Sequence, residues 1–530
     1  MRMRAITVMV AVAAALAVSA ACGGSGGREA SAPGPGPYHD PAQGWSADVP
    51  AGWQAVATGP TFVRGDPLTD PTRLVVTAAP NATPASALRA LASAHGIRVM
   101  GRAGARDGAH VHWQRHRGRT DDARSLPVEL AVADGGAGAH AVALIARRSE
   151  AGDLARTVLM PVLDGFAPGA PDPPESLLAD EVADPAYWPT AGWRTASPAS
   201  QGMDGARLDA MVAEIRARDL PIDSVTVVRH GHVVLDAAFG RFAAGTLGAP
   251  YASGALHELQ SATKSVTSMT LGAALAGQPA GGVGVGTTVA ELAAAVQSVP
   301  RRLDARKRAM TLEDLLTMRA GLAWRETGYA YAPGSGNSVM AMLRTANWTR
   351  YVVDRPMAAE PGTRFAYNTG ASHLVSGAAT VVTGRRADEV AADALFRPLG
   401  ITAVAWARAP EGVTSGGFGL ALAPRDLAKL AFLYLHRGRW DGRQLVPEDW
   451  VEASTTDQVA PPEEYGYLWW LDRADGYAFM AGLYGQLAVV APRQDLVAVV
   501  TAHIPADVDA GSVTRWLVER YVLPAAGGSA

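Results

Sequence analysis

Leu259-Gln260-Ser261-Ala262-Thr263-Lys264-Ser265-Val266-Thr267-Ser268-Met269-Thr270-Leu271-Gly272-Ala273-Ala274-Leu275 is the stretch on which the reading of this chain turns. Its second half is apolar and built of small residues, the composition of a helix buried all round. A serine in the first turn of such a helix and a lysine three residues later share one face. The helix N-terminus favours negative charge, so it helps a serine hydroxyl become alkoxide-like. The lysine can take the serine's proton only when it is neutral, and burial lowers a lysine pKa by disfavouring the charged form. Arginine cannot lose its proton in this way. The chain has 47 basic residues, and Lys264, Lys307 and Lys429 are its only lysines, so a lysine at this spacing is informative.

Two later segments can complete a site around Ser261 and Lys264. Pro361-Gly362-Thr363-Arg364-Phe365-Ala366-Tyr367-Asn368-Thr369-Gly370 is a turn-rich loop ahead of an apolar helix at Ser372–Val382. A hydroxyl at Tyr367 could relay a proton between nucleophile, lysine and leaving group. Ala481-Gly482-Leu483-Tyr484-Gly485-Gln486 runs into the apolar stretch Leu487–Ala491. A glycine-bearing strand lets a substrate backbone approach closely. The amides of Ser261 and Gln486 could then form an oxyanion hole. Each segment alone also has an ordinary reading, a packed tyrosine and a core strand.

Outward from these segments, the 530 residues divide into parts. Arg2 and Arg4, the apolar run Ile6–Val18 and Ser19-Ala20-Ala21 ahead of Cys22 read as an export signal over residues 1–21. Cys22 is the single cysteine, so no intramolecular disulfide can form. Residues 22–37 are rich in Gly, Ser and Pro, a flexible tether. Residues 38–168 alternate short strand patterns with two helical ones, Pro84–Ala94 and Ala151–Phe166, and predict a small α+β domain with helices on one face of a sheet. Thr83 is placed to cap the first helix. Residues 169–200 are a proline-rich linker. Residues 201–524 form the large domain: a helix at Asp204–Ala217, a hairpin through His230-Gly231-His232, a helical middle, and strands at Leu468–Leu471, Ala478–Gly482, Gln486–Ala491 and Leu496–Ala502 before a last helix, Ala510–Tyr521. Strands at both ends of a helical middle imply an antiparallel sheet assembled from the two ends.

Net charge is −3 with no basic stripe, which argues against nucleic acid as a partner. His95, His110, His112 and His116 fit no compact metal motif. His257 and His373 read as packing residues, Asp314 as a first-turn helix residue, Trp469 and Trp470 as core or cleft wall. Tyr329 and Tyr331, in the loop Gly328–Gly336, are candidates for the rim of the site.

The segments SATK (Ser261–Lys264), Thr311–Trp324, Pro361–Gly370, Leu395–Ile401, Tyr465–Trp470 and Gly482–Gln486, in this order, resemble the serine hydrolase family of class C β-lactamases. D-alanyl-D-alanine carboxypeptidases, esterases and 6-aminohexanoate-dimer hydrolases belong to the same family. The resemblance spans Trp188 to Tyr521. It implies an α+β fold of β-lactamase/transpeptidase type, with an antiparallel sheet flanked by helices, an all-helical region, and the site between them. It implies Ser261 as nucleophile, Lys264 as its base, Tyr367 as the motif tyrosine, and no cofactor. Two departures bear on the substrate. Where the family commonly has Tyr-x-Asn, this chain reads Tyr367-Asn368-Thr369, leaving Asn368 and Thr369 as substrate-binding candidates. Where it commonly has Lys-Thr-Gly or His-x-Gly, this chain reads Leu483-Tyr484-Gly485, which places Tyr484 and Gly485 at the substrate without a cationic or imidazole side chain.

The expected activity is hydrolysis of a small-molecule ester, amide or peptide-like substrate, closest to the esterase and dimer-hydrolase branch. The alternatives are carboxypeptidase or β-lactamase activity, and a cell-envelope binding protein that keeps the fold without turnover. The N-terminus also resembles a bacterial lipoprotein signal, which implies acylation of Cys22 and a lipid anchor on the extracytoplasmic face of the membrane.

Overall fold

The computed structural model describes residues 36–40, 43–50, 52–56, 61–64, 70–80, 82–122, 124–136, 138–169, 176–178, 182–239, 255–278, 282–296, 304–459, 463–505 and 510–527. The expected signal at 1–21, Cys22 and most of the tether lie outside them. No helix among the described residues is long and apolar enough to cross a membrane.

The N-terminal part centres on a seven-stranded antiparallel sheet. Its strands run, edge to edge, Trp53–Val56, Thr61–Arg64, Arg73–Pro80, Gly138–Ile145, Pro127–Asp134, His112–Thr120 and Ile97–Asp107. Successive residues of a strand point to opposite faces, and both faces here are apolar. Leu74, Val76, Val142 and Leu144 pack under Leu154, Val158 and Leu163. Val75, Ala141, Ala143 and Leu130 pack under Ala87 and Leu91. The two helices therefore cover opposite faces, which corrects the expectation that they share one. Thr83 caps the Pro84–Ala94 helix in a reciprocal box with Ser86. The Ile97–Asp107 strand escaped the sequence reading because it is mostly exposed, broken by Gly101 and Gly104, and bulged at both glycines.

The large domain carries a six-stranded antiparallel sheet in the order His232–Ala238, Ile222–Arg229, Leu496–Ala502, Gln486–Ala491, Tyr477–Gly482, Trp470–Asp472. The N-terminal hairpin pairs with the last strand in register from Ile222↔Ala502 to Arg229↔Leu496, so the sheet is closed from both ends of the domain. The helices Gly205–Ala217 and Ala510–Leu517 cover one face with Leu208, Met211, Val513 and Leu517. The other face supports Pro424–Leu435 and, beyond it, the helical region containing Thr263–Ala276 and Thr369–Thr383. Residues of the expected linker also pack here: Trp193 Nε1 donates to the carbonyl of Arg425 at 2.9 Å, and Trp188 lies against Trp440 with ring centroids 5.2 Å apart.

The strand Tyr477–Gly482 ends against the turn that precedes the Thr263–Ala276 helix. A Cβ on Gly482 would stand 2.2 Å from the carbonyl oxygen of Leu259. Only glycine allows this approach of sheet to turn. Gly482→Ala is therefore expected to shift the turn and lower kcat/KM about 10²-fold while the protein stays folded, to be measured by ester turnover and circular dichroism on the same sample.

Candidate active site

Ser261 sits in the short turn Gln260–Ala262 that leads into the helix Thr263–Ala276. Gln260, directly before it, has φ +49°, a left-handed conformation that is strained for a residue with a side chain. Nearly every side chain of the helix from Thr263 to Ala274 is buried, as its apolar composition predicted. Lys264 is 2 % exposed, and its Nζ lies 2.9 Å from Ser261 Oγ. The same Nζ donates to the carbonyl oxygen of Gly417 at 2.9 Å. Burial pushes the Lys264 pKa down to about 8, against the opposing negative charge of Glu326.

Tyr367 stands over the pair, with Lys264 Nζ 4.8 Å from its ring centroid, and its hydroxyl is hydrogen-bonded to Ser261. Burial and the Glu326 charge push its pKa up, so the phenol is held protonated. Its ring stacks on Trp470 at 5.6 Å. Tyr367→Phe removes one hydroxyl from this array and keeps the ring. It is expected to lower kcat about 10²-fold, with KM the control that the cleft is intact.

The Tyr367 loop is held by the next helix. Asn368 caps Thr369–Thr383, its Oδ1 accepting from the amide of Ala371 at 3.0 Å. Thr369 turns its amide (2.8 Å) and hydroxyl (2.6 Å) to Glu326. A cleft of about 890 Å³ opens on Tyr367, the side chain bonded to Ser261, and is lined also by Tyr484, Tyr329 and Tyr331, but not by Ser261, Lys264, Gln486, Asn368, Thr369 or Gly485. Tyr484 itself has φ +66°. Gln486 begins its strand with its side-chain amide donating to the carbonyl of Ala502 at 2.6 Å, which pins the strand end near the nucleophile turn.

The histidines take structural places. His257 Nε2 lies 2.9 Å from the fully buried Asp223, which also meets His503 Nδ1 at 2.8 Å. His373 is buried with its Nε2 3.3 Å from Glu411. Asp314 closes a capping box with Thr311 on the helix Leu312–Leu316. Trp469 is fully buried and Trp470 is cleft wall.

Sequence reasoning missed two groups. Glu326, 4 % exposed, sits in a loop just after the Thr311–Trp324 segment and has no periodic signal. The carbonyl of Gly417 comes from Ser415-Gly416-Gly417-Phe418-Gly419, whose three glycines did carry a signal. A Cβ at Gly416 would stand 2.0 Å from the carbonyl of Ser372, so this segment can reach Lys264 only as bare backbone.

Comparison with known proteins agrees with this architecture. The family described as Beta-lactamase matches residues 208–521. No curated protein sequence matches the chain. Similar solved structures include a family VIII carboxylesterase, at 16% identity over 62% of this chain and 98% of that one with a TM-score of 0.48. EstCE1, a hydrolase with promiscuous acyltransferase activity, is 16% identical over 60% of this chain and 97% of its own, with a TM-score of 0.47. Simvastatin synthase (LovD) from Aspergillus terreus is 17% identical over 63% of this chain and 100% of its own, also with a TM-score of 0.47. With more than half of its length matched by that one family, the chain belongs to the Beta-lactamase family, a family of serine hydrolases.

Proposed function

We propose that the protein hydrolyses an ester or amide through an acyl-enzyme on Ser261. The observation that carries this reading is the contact of 2.9 Å between Ser261 Oγ and a buried Lys264 whose pKa is lowered to about 8. Neutral Lys264 accepts the hydroxyl proton as Ser261 Oγ bonds to the substrate carbonyl carbon. The amides of Ser261 and Gln486 receive the oxyanion. As the carbonyl re-forms, the bond to the alcohol or amine breaks, and the proton passes from Lys264, with Tyr367 beside it, to the leaving group. Water then attacks the acyl carbon and gives a proton to Lys264, the bond to Ser261 Oγ breaks as that proton passes to Oγ, and the acid leaves with the hydroxyl and the neutral amine restored.

The third segment, Leu483-Tyr484-Gly485, supplies no cation to meet a substrate carboxylate. This favours an ester or neutral amide over β-lactam or D-alanyl peptide. A fluorophosphonate is expected to leave one adduct, mapped by peptide mass to Ser261, and Ser261→Ala to stay unlabelled; equal labelling of both would refute the assignment. For the N-terminus, we propose export and acylation at Cys22, with the folded body held outside the membrane by the tether. Loss of membrane-fraction recovery in Cys22→Ala checks this, and unchanged recovery rejects it.

A further inference from the structure

Resting on the hydrolase reading above, we infer that the cleft beside Ser261 selects substrates that carry a fixed positive charge within a few bonds of the scissile carbonyl. Among the described residues its charged lining side chains are both acidic, Glu326 and Glu463, and no lysine, arginine or histidine lines it. Glu326 is buried, and its carboxylate meets four donors. Oε1 accepts from the hydroxyls of Tyr331 (2.8 Å) and Thr369 (2.6 Å), and Oε2 from Trp324 Nε1 (2.6 Å) and the amide of Thr369 (2.8 Å). All four are neutral, so they hold the carboxylate in place without cancelling its charge. Because the field of a buried charge is weakly screened, it reaches the cavity.

The same bonds decide what the wall offers. The hydroxyl protons of Tyr331 and Thr369 point to Glu326, so these side chains turn away as donors. What remains around the cavity is aromatic: Tyr329, Phe365, Tyr367, Trp470 and Tyr484. Ring faces attract a cation through their quadrupole, most strongly where water is displaced. A trimethylammonium or ammonium group entering here meets π-faces and two carboxylates. A carboxylate entering meets the same field with the opposite sign and no cation among the described lining residues to receive it. The comparison is made above pH 8, where Lys264 of the free enzyme is neutral and does not cancel the preference.

The test uses isosteric pairs on the full chain. On the acyl side, the p-nitrophenyl esters of 4-(trimethylammonio)butanoic acid, 5,5-dimethylhexanoic acid and glutaric acid carry positive, neutral and negative ends on one skeleton length. On the alcohol side, butyrylthiocholine is set against 3,3-dimethylbutyl thiobutyrate. In at least one series the cationic substrate is expected to exceed its neutral isostere about tenfold in kcat/KM, with the glutaryl ester the poorest. Glu326→Gln and Glu463→Gln are each expected to shrink that ratio about threefold, and either variant suffices if the other does not fold. Phenyltrimethylammonium is expected to slow fluorophosphonate labelling of Ser261, whereas benzoate at the same concentration is not. Labelling that neither ion slows, or ratios near unity in both series, overturns the charge preference and leaves the hydrolase reading standing. A Ser261 that no fluorophosphonate labels and no ester acylates overturns the hydrolase reading itself.

Discussion

Below about pH 8, kcat/KM is expected to fall about tenfold for each unit of acidification, and above it to level off. The base form of Lys264 is the neutral amine, and burial brings its pKa down to about 8, so the active fraction shrinks as the pH drops below that value. Lys264→Met removes the proton acceptor while keeping the length and the apolar stem. It is expected to lower kcat/KM about 10⁴-fold and to abolish the pH dependence of what remains. Lys264→Arg should be no better, because a guanidinium stays charged.

The same substitution has an opposite effect on stability, and the sign follows from linkage. Lys264 titrates near 8 when folded and near 10.5 when unfolded. Between these values the unfolded chain holds more protons, so stability rises with pH through that window, and below it the fold bears the full penalty of about 3 kcal/mol. Lys264→Met removes that penalty and leaves the Gly417 carbonyl without its donor, a loss of about 1 kcal/mol. A net gain of about 2 kcal/mol at neutral pH is expected, read as a higher midpoint of unfolding. An inactive variant with a lower midpoint would mean that the lysine serves packing rather than catalysis.

The second large effect lies behind the sheet. Arg515 is 3 % exposed and gathers Asp472, Glu519 and Tyr477 around its guanidinium, donating to Glu519 at 3.0 Å and to the Tyr477 hydroxyl at 2.9 Å. Asp475 stands beside them, its pKa pushed up to about 8 by burial and by the charges of Asp472 and Glu519. Three carboxylates within mutual reach resemble a cation site, but Arg515 already supplies the positive charge. Arg515→Met leaves buried carboxylates without a counter-charge and is expected to destabilise the protein by about 3–5 kcal/mol. Because the Asp475 pKa is raised in the folded state, the folded chain holds its proton up to about pH 8 and stability falls as pH rises toward that value. The deficit of Arg515→Met should therefore widen from acid to neutral pH and shrink when Asp472→Asn is added. Thermal unfolding across that range measures both.

Much of the large domain follows from local pattern. Gln486–Ala491 and Leu496–Ala502 run where their apolar composition ended them, and Asp204 caps the helix that was read to begin there. Ser261 and Lys264 face each other because i and i+3 meet on any helix, which needs nothing from the rest of the chain. The Asn368 side chain is different: a polar residue before an apolar run signals both a substrate contact and a helix cap, and the fold uses its oxygen as the cap.

The sequence by itself determined the pairing of hydroxyl and amine, the helix that carries it, and the antiparallel sheet built from both ends of the domain, because each depends on periodicity within one segment. Only the tertiary structure decided the chemistry of that pair. The lowered lysine pKa, the Gly417 carbonyl that steadies the amine and the Glu326 carboxylate that charges the cleft all arise where segments far apart in sequence close on one another. Desolvation and field are properties of what surrounds a group, and no local pattern encodes the surroundings.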